Sequence, residues 1–185
     1  MIAKRLFFAT LLLTAILAAN VMAQYYDNGV TINAQMTVGA QTFMDGGNFA
    51  GVHSTATDGY DSGTDVPEPA PPASDYISLY FPHSEWGLPF FDNFMKDVRN
   101  GNDDLTNAIK TYSFEVITNP TGETVDLTLT IETGYSATLG IVLYDVGSSA
   151  YQNIRDDNTY NFTASGTQSF DLSLGDATQI GRAHV

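Results

Sequence analysis

The run Val125-Asp126-Leu127-Thr128-Leu129-Thr130-Ile131-Glu132 sets four apolar side chains in strict alternation with four polar ones. Successive side chains of a strand point to opposite faces, so the run reads as a strand with one dry face and one wet face. The same period recurs on either side of it. Tyr112, Phe114 and Val116 alternate with Ser113 and Glu115, and Ile32, Ala34, Met36 and Val38 alternate with Thr31, Asn33, Gln35 and Thr37. Leu139 to Val146 is apolar on both faces, the pattern of a strand covered from both sides. Tyr160 with Phe162, and Phe170 with Leu172 and Leu174, give two short strands around Ser165-Gly166. Tyr76 to Phe81 gives another, and Phe94 to Arg99 a strand or a short helical turn. The linker Asn119-Pro120-Thr121-Gly122 carries hairpin-type turn chemistry, so the strands it joins are expected to pair or neighbour each other. Asp103 to Lys110 has room for a turn or two of helix and reads as a connection. Seven or so strands without an amphipathic helix predict an all-β domain, an antiparallel β-sandwich of immunoglobulin-like or jelly-roll type.

Outward from these strands, the N-terminus changes character. Lys4 and Arg5 precede the apolar run Leu6 to Ala19, and Val21-Met22-Ala23 supplies small residues at a cleavage site. This is the layout of a secretory signal peptide, and the apolar run is shorter than the ~20 residues of a membrane-spanning helix. Residues 1–23 are therefore expected to be a leader, and 24–179 one exported domain. The 185-residue chain has a formal charge of −14, with 21 acidic residues against seven basic ones, and loss of Lys4 and Arg5 would make it more negative. Such a charge repels phosphate backbones and anionic membrane surfaces, leaving cations, polysaccharides and proteins as partners, or simply keeping an exported protein in solution. Without cysteine, stability is expected from core burial or a bound ion. At the far end, Ile180-Gly181-Arg182-Ala183-His184-Val185 spells what common sequencing-adapter DNA encodes, so 180–185 is expected to be a non-native tail on a longer gene.

The stretch from Gly39 to Asp75 is rich in Gly, Asp, Ser, Thr and Pro and ends in Val66-Pro67-Glu68-Pro69-Ala70-Pro71-Pro72. It is expected to be a long loop, laid as a belt over the sandwich and anchored by Phe43, Phe49, Val52, Tyr60 and Val66. The string Ala56 to Pro69, with Leu79-Tyr80-Phe81-Pro82, Asp97-Val98-Arg99, Leu143-Tyr144-Asp145, Asn153-Ile154-Arg155, Tyr160-Asn161-Phe162 and Phe170-Asp171-Leu172, resembles a module of secreted bacterial proteins that carry C-terminal type IX sorting or hook-capping-like immunoglobulin domains. That resemblance implies an accessory role outside the cell or at its surface.

Two clusters invite chemistry. Asp58, Asp61 and Asp65, flanked by Asp45 and Glu68, put hard oxygen ligands on one loop and suit Ca²⁺, although the spacing is not that of an EF-hand and Asp-Gly turns use the same residues. Trp86, Phe90 and Phe91 follow Phe81-Pro82-His83-Ser84-Glu85 and read either as a platform for sugar rings or as an anchor on the sandwich edge. Asp97 and Arg99 share a strand face and are expected either to form a solvent-screened pair or to leave Arg99 reaching another carboxylate, and Arg155 beside Asp156 and Asp157 reads the same way. His53 and His83 lie in neither a nucleophile-elbow nor a metal-ligand spacing, and no phosphate loop joins a strand to a helix. These observations favour a non-catalytic module contacting protein or matrix, with a carbohydrate-binding module or the front of a larger secreted hydrolase as alternatives.

Overall fold

The computed structural model describes residues 28–89, 91–101, 105–106 and 108–183. The leader 1–23, Phe90, part of the 103–110 connection and the last two residues lie outside them. The chain is all-β. Its strands are β1 Asn28–Val38, β2 Gln41–His53, β3 Val66–Pro67, β4 Tyr76–Pro82, β5 Asn93–Asn100, β6 Ile109–Asn119, β7 Thr124–Ile131, β8 Leu139–Asp145, β9 Ala150–Asn153, β10 Thr159–Thr163 and β11 Thr167–Asp176. A short helix, α1 Ala177–Ala183, follows. Among the described residues no helix is long and apolar enough to cross a membrane.

Alternation decides what faces inward. Val30, Ile32, Ala34 and Met36 of β1 are buried, and they lie opposite Ile131, Leu129, Leu127 and Val125 of β7. Tyr112 and Phe114 of β6 lie opposite Leu172 and Phe170 of β11. Leu139, Ile141 and Leu143 of β8 join the same buried cluster. Neither group of strands can hide its apolar face alone, so the sheet curls until the faces meet. The strand order is β10-β7-β1-β2-β5-β4-β6-β11-β8-β9, with β3 added beside β5. β4 is the hinge of the curl: Tyr76 to Tyr80 pair with β6, whereas Phe81 and Pro82 pair with β5. Phe170 closes the core from both sides, stacked on Phe114 at 5.2 Å and met by Phe162 and Tyr160 of β10. The two ends of the sheet approach through side chains. Gln152 Nε2 of β9 donates to the Asp157 and Thr159 carbonyls at 2.9 and 2.6 Å, and Tyr160 Oη of β10 donates to Asp145 Oδ2 at 2.8 Å.

The structure departs from the expected purely antiparallel sheet. β2 and β5 pair in parallel, from Phe49↔Lys96 to His53↔Asn100, so the sheet is mixed and nearly closed, in the manner of a barrel. β6 and β7 do not pair either. Their link, with a cis Asn119–Pro120 bond and Gly122 at φ +95, arches from one half of the sheet to the other. The β10–β11 link makes the same crossing beside it, the two arches joined by Gly122 N–H to the Ala164 carbonyl at 2.7 Å and Ala164 N–H to the Glu123 carbonyl at 2.8 Å. A hairpin at either place would have left both apolar faces on one side; an arch turns them toward each other. β8 is also less covered than its sequence suggests, since Val142 and Tyr144 are half-buried and Val146 is exposed.

The expected loop 39–75 is a strand over its first part. Gln41 to His53 pairs with β1 despite its glycines, because Phe43, Ala50 and Val52 face the core. The remainder, from Ser54, contains the two-residue strand β3, which pairs with β5. Phe49 points to the outer face, where its ring lies over Gly29 and Gly51; a Cβ at either glycine would stand 2.2 or 2.6 Å from that ring. Ala56 and Val98 complete this small outer cluster. At the far end Ile180 of α1, assigned by sequence to a foreign tail, is buried, its methyl against Gly140.

Candidate functional site

β4, β5, β6 and the segment that follows β3 meet around an open cleft of about 440 Å³. Ser78 and Tyr80 of β4 and Ile117 of β6 form one wall, because outward residues of adjacent strands stand side by side and Ser78 lies opposite Ile117. Glu68, Pro69, Ala70 and Pro71 form the facing wall, held to the sheet where the Glu68 N–H donates to the Asn93 carbonyl at 2.9 Å. Prolines cannot join a ladder, and here they form a stiff rim. Phe91, Asp92 and Asn93 close the third side, and Phe91 and Asp92 also border a second hollow with Ser84, Leu88 and Pro89. Phe91 keeps 39% of its surface exposed while its edge meets the Phe94 ring at 6.2 Å.

The electrostatics of the cleft are acidic. Burial pushes the Glu68 carboxyl up, and the charge of Asp45 adds to it, to about 7, against a partial offset from the Ser78 hydroxyl, which donates to Glu68 Oε1 at 3.3 Å. Tyr80 Oη donates to Glu115 Oε2 at 2.7 Å. Such a lining offers hydrogen-bond acceptors, an apolar floor and an aromatic edge, and it repels anions.

Behind the cleft lies a buried polar network. Asp97 is 0% exposed, yet it receives Arg99 Nε at 3.0 Å, Arg99 Nη2 at 2.8 Å and approaches His83 Nε2 at 3.1 Å. The other imidazole nitrogen, Nδ1, is 2.6 Å from Glu85 Oε1, and the ring lies flat against Trp86 at 3.7 Å. Burial pushes Asp97 up, but the bonds from His83 and Arg99 outweigh it and hold the carboxyl below its ordinary value. Burial likewise pushes His83 down, and the bonds to Asp97 and Glu85 overturn that and raise it. Arg99 also lies over the Tyr112 ring at 4.4 Å and donates to the Thr111 carbonyl. Of the pair expected at the surface, Asp97 is buried and Arg99 only partly exposed. Arg155 donates to the Leu139 and Ser136 carbonyls.

The three loop aspartates have separate tasks. Asp65 Oδ1 accepts the Val98 N–H at 2.9 Å, and Asp58 Oδ1 accepts the Asn100 N–H at 3.1 Å and Lys110 Nζ at 2.7 Å. β3 pairs with Lys96 and Phe94 of β5, so these carboxylates continue its job at every second amide beyond its end. Asp61 Oδ2 accepts the Thr57 N–H and hydroxyl, closing a turn. Burial leaves the Asp65 carboxyl up at about 6, whereas the Lys110 and Asn100 bonds outweigh burial at Asp58 and lower it. Among the described residues no three His, Cys, Asp or Glu side chains converge to hold a metal ion. Trp86 is half-buried, with one face on His83 and its ring 4.7 Å from Phe94 and 5.9 Å from Tyr60. Phe91 is more exposed than Trp86, at the mouth of the cleft. Ser78, Tyr80, Asn93 and Ile117 carry no sequence signal for the cleft beyond their outward parity on strands.

The chain matches no protein-family model, no curated protein and no solved structure.

Proposed function

We propose that this chain is a non-catalytic binding module of an exported protein, and that the cleft bounded by Glu68, Tyr80 and Phe91 is where it contacts a protein or a matrix polysaccharide outside the cell. The observation that carries the reading is an open 440 Å³ hollow whose one markedly exposed aromatic, Phe91, sits beside Asp92 and Asn93. A flat apolar edge next to polar acceptors suits a sugar ring or a peptide side chain, and the acidic lining favours neutral or basic partners over anionic ones. The reading takes the leader 1–23 as the route of export and the type IX-like resemblance as its setting. It also takes the curled sheet as a relative of the immunoglobulin-like sandwich, with β4 joining the two layers.

Arrays of neutral glycans and of basic peptides, probed with the full chain and with Phe91→Ala, test it. A bound class whose affinity drops about tenfold or more in the variant supports the cleft, since truncating an anchor costs more than about 1 kcal/mol. Equal binding by both proteins removes it.

A further inference from the structure

Opposite residues of an antiparallel pair share a face. Phe43, Asp45, Asn48, Ala50 and Val52 of β2 lie opposite Met36, Ala34, Ile32, Val30 and Asn28 of β1, so an acid and an amide stand in a row of core residues. Spaced three apart, Asp45 and Asn48 would normally point to opposite faces. They do not, because the register slips at Gly46-Gly47, where Gly47 adopts φ +82 and donates its N–H to Asn33 Oδ1 at 2.9 Å. The bulge therefore brings the two polar side chains together, and Asn48 Nδ2 donates to Asp45 Oδ1 at 3.2 Å.

The cluster extends to β4. Asp45 Oδ2 accepts the Leu79 N–H at 2.5 Å, and the adjacent Ser78 hydroxyl donates to Glu68 Oε1 at 3.3 Å. Two carboxylates are thus tied to consecutive residues of one strand, at the point where β4 leaves β6 and has not yet met β5. Asn48 is 0% exposed, and its Oδ1, on the amide that already faces Asp45, has no hydrogen-bond partner. A buried acceptor without a donor, on an amide bonded to an acid, is what a cation can satisfy and what a packed core avoids.

We infer that Asp45, Asn48 Oδ1 and Glu68, with the Ser78 hydroxyl, form a site for a hard divalent cation of the Ca²⁺ kind, entered from the cleft side through Glu68. All four groups offer oxygen, which excludes the soft metals, and two carboxylates balance a double positive charge. The remaining positions of a six- to eight-oxygen shell would be water. The cation would lock β2 to β4 and to the segment bearing Glu68, taking the stapling part that disulfides play elsewhere. The inference stands whatever partner the cleft takes, since Ca²⁺ alone reads it.

The experiment is a thermal melt and a calorimetric titration of the full chain with Ca²⁺, repeated after chelation and in Glu68→Gln, Asp45→Asn and Asp61→Asn. Wild type and Asp61→Asn should bind Ca²⁺ and melt higher in it. At a free concentration about 100 times the dissociation constant, the folded-to-unfolded ratio should rise about 100-fold. Glu68→Gln, at a half-buried position, should fold and lose the response, and it decides the matter if Asp45→Asn does not fold. No binding and no shift in wild type would overturn the site, as would an undiminished response in Glu68→Gln or a response lost in Asp61→Asn.

Discussion

His83 shows how little a residue's sequence neighbourhood says about its work. Nothing in Pro82-His83-Ser84 announces a buried imidazole, yet β5 brings Asp97 to one nitrogen and the 84–86 turn brings Glu85 to the other and Trp86 to its face. The sum raises its proton affinity above the ordinary value of 6.5. The folded chain then keeps a proton on His83 over a range in which the unfolded chain has released it. Its contribution to stability is complete below 6.5 and is lost as pH rises through the raised value. Urea unfolding of wild type and His83→Gln should show a gap that narrows as pH goes from about 6 to about 9. A gap that stays constant over that span would mean that His83 contributes through packing alone. Glu68 and Asp65 are displaced in the same sense but by burial, and their effect falls at lower pH, below about 7 and about 6.

Among the elements, β5 is the most dependent on its surroundings. Phe94 pairs with both β4 and β3, and Lys96 with both β2 and β3, so the end of β4 and then the parallel β2 line one side of β5, while β3 and the carboxylates of Asp65 and Asp58 line the other. Side-chain oxygens here stand in for a missing strand. Asp65→Ala would strip the partner from the buried Val98 N–H and from the Asp61 N–H at 2.7 Å. We expect a loss of about 1–3 kcal/mol, the cost of an unmet buried donor, with faster hydrogen exchange at Val98 than at Val116. Unchanged protection at Val98 would show that the loop is not an edge cover. The alternating apolar residues of β1, β6, β7 and β11 made those strands readable from sequence, because each presents one dry face to one core. β2 was hidden, since Asp45-Gly46-Gly47-Asn48 interrupts its period with turn residues that serve a bulge. Asp58, Asp61 and Asp65 were visible as acids but not as edge caps, because Asp-rich loops serve turns, ladders and ions with the same residues.

At the level of the whole molecule, periodicity sets the composition of each face but not which strands become neighbours. Asn119-Pro120-Thr121-Gly122 fits a hairpin locally; the arch wins because Val125, Leu127 and Leu129 find Met36, Ala34 and Ile32 across β1, while Phe114 and Tyr112 find Phe170 and Leu172 across β11. The curl that follows places β4, β5, β6 and the segment after β3 around the cleft, so the site is a product of long-range pairing and was only partly visible, through Phe91 and Glu68. A second exposed aromatic feature lies away from it on β8 and β9, where Tyr144 and Tyr151 stack at 4.4 Å. The most direct test of the account is therefore an amide chemical-shift map of the labelled chain during titration with the strongest glycan or peptide found on the arrays. Shifts should concentrate at Glu68, Ala70, Ser78, Tyr80, Phe91 to Asn93 and Ile117. Shifts centred on Tyr144 and Tyr151, with the cleft residues unmoved, would contradict it.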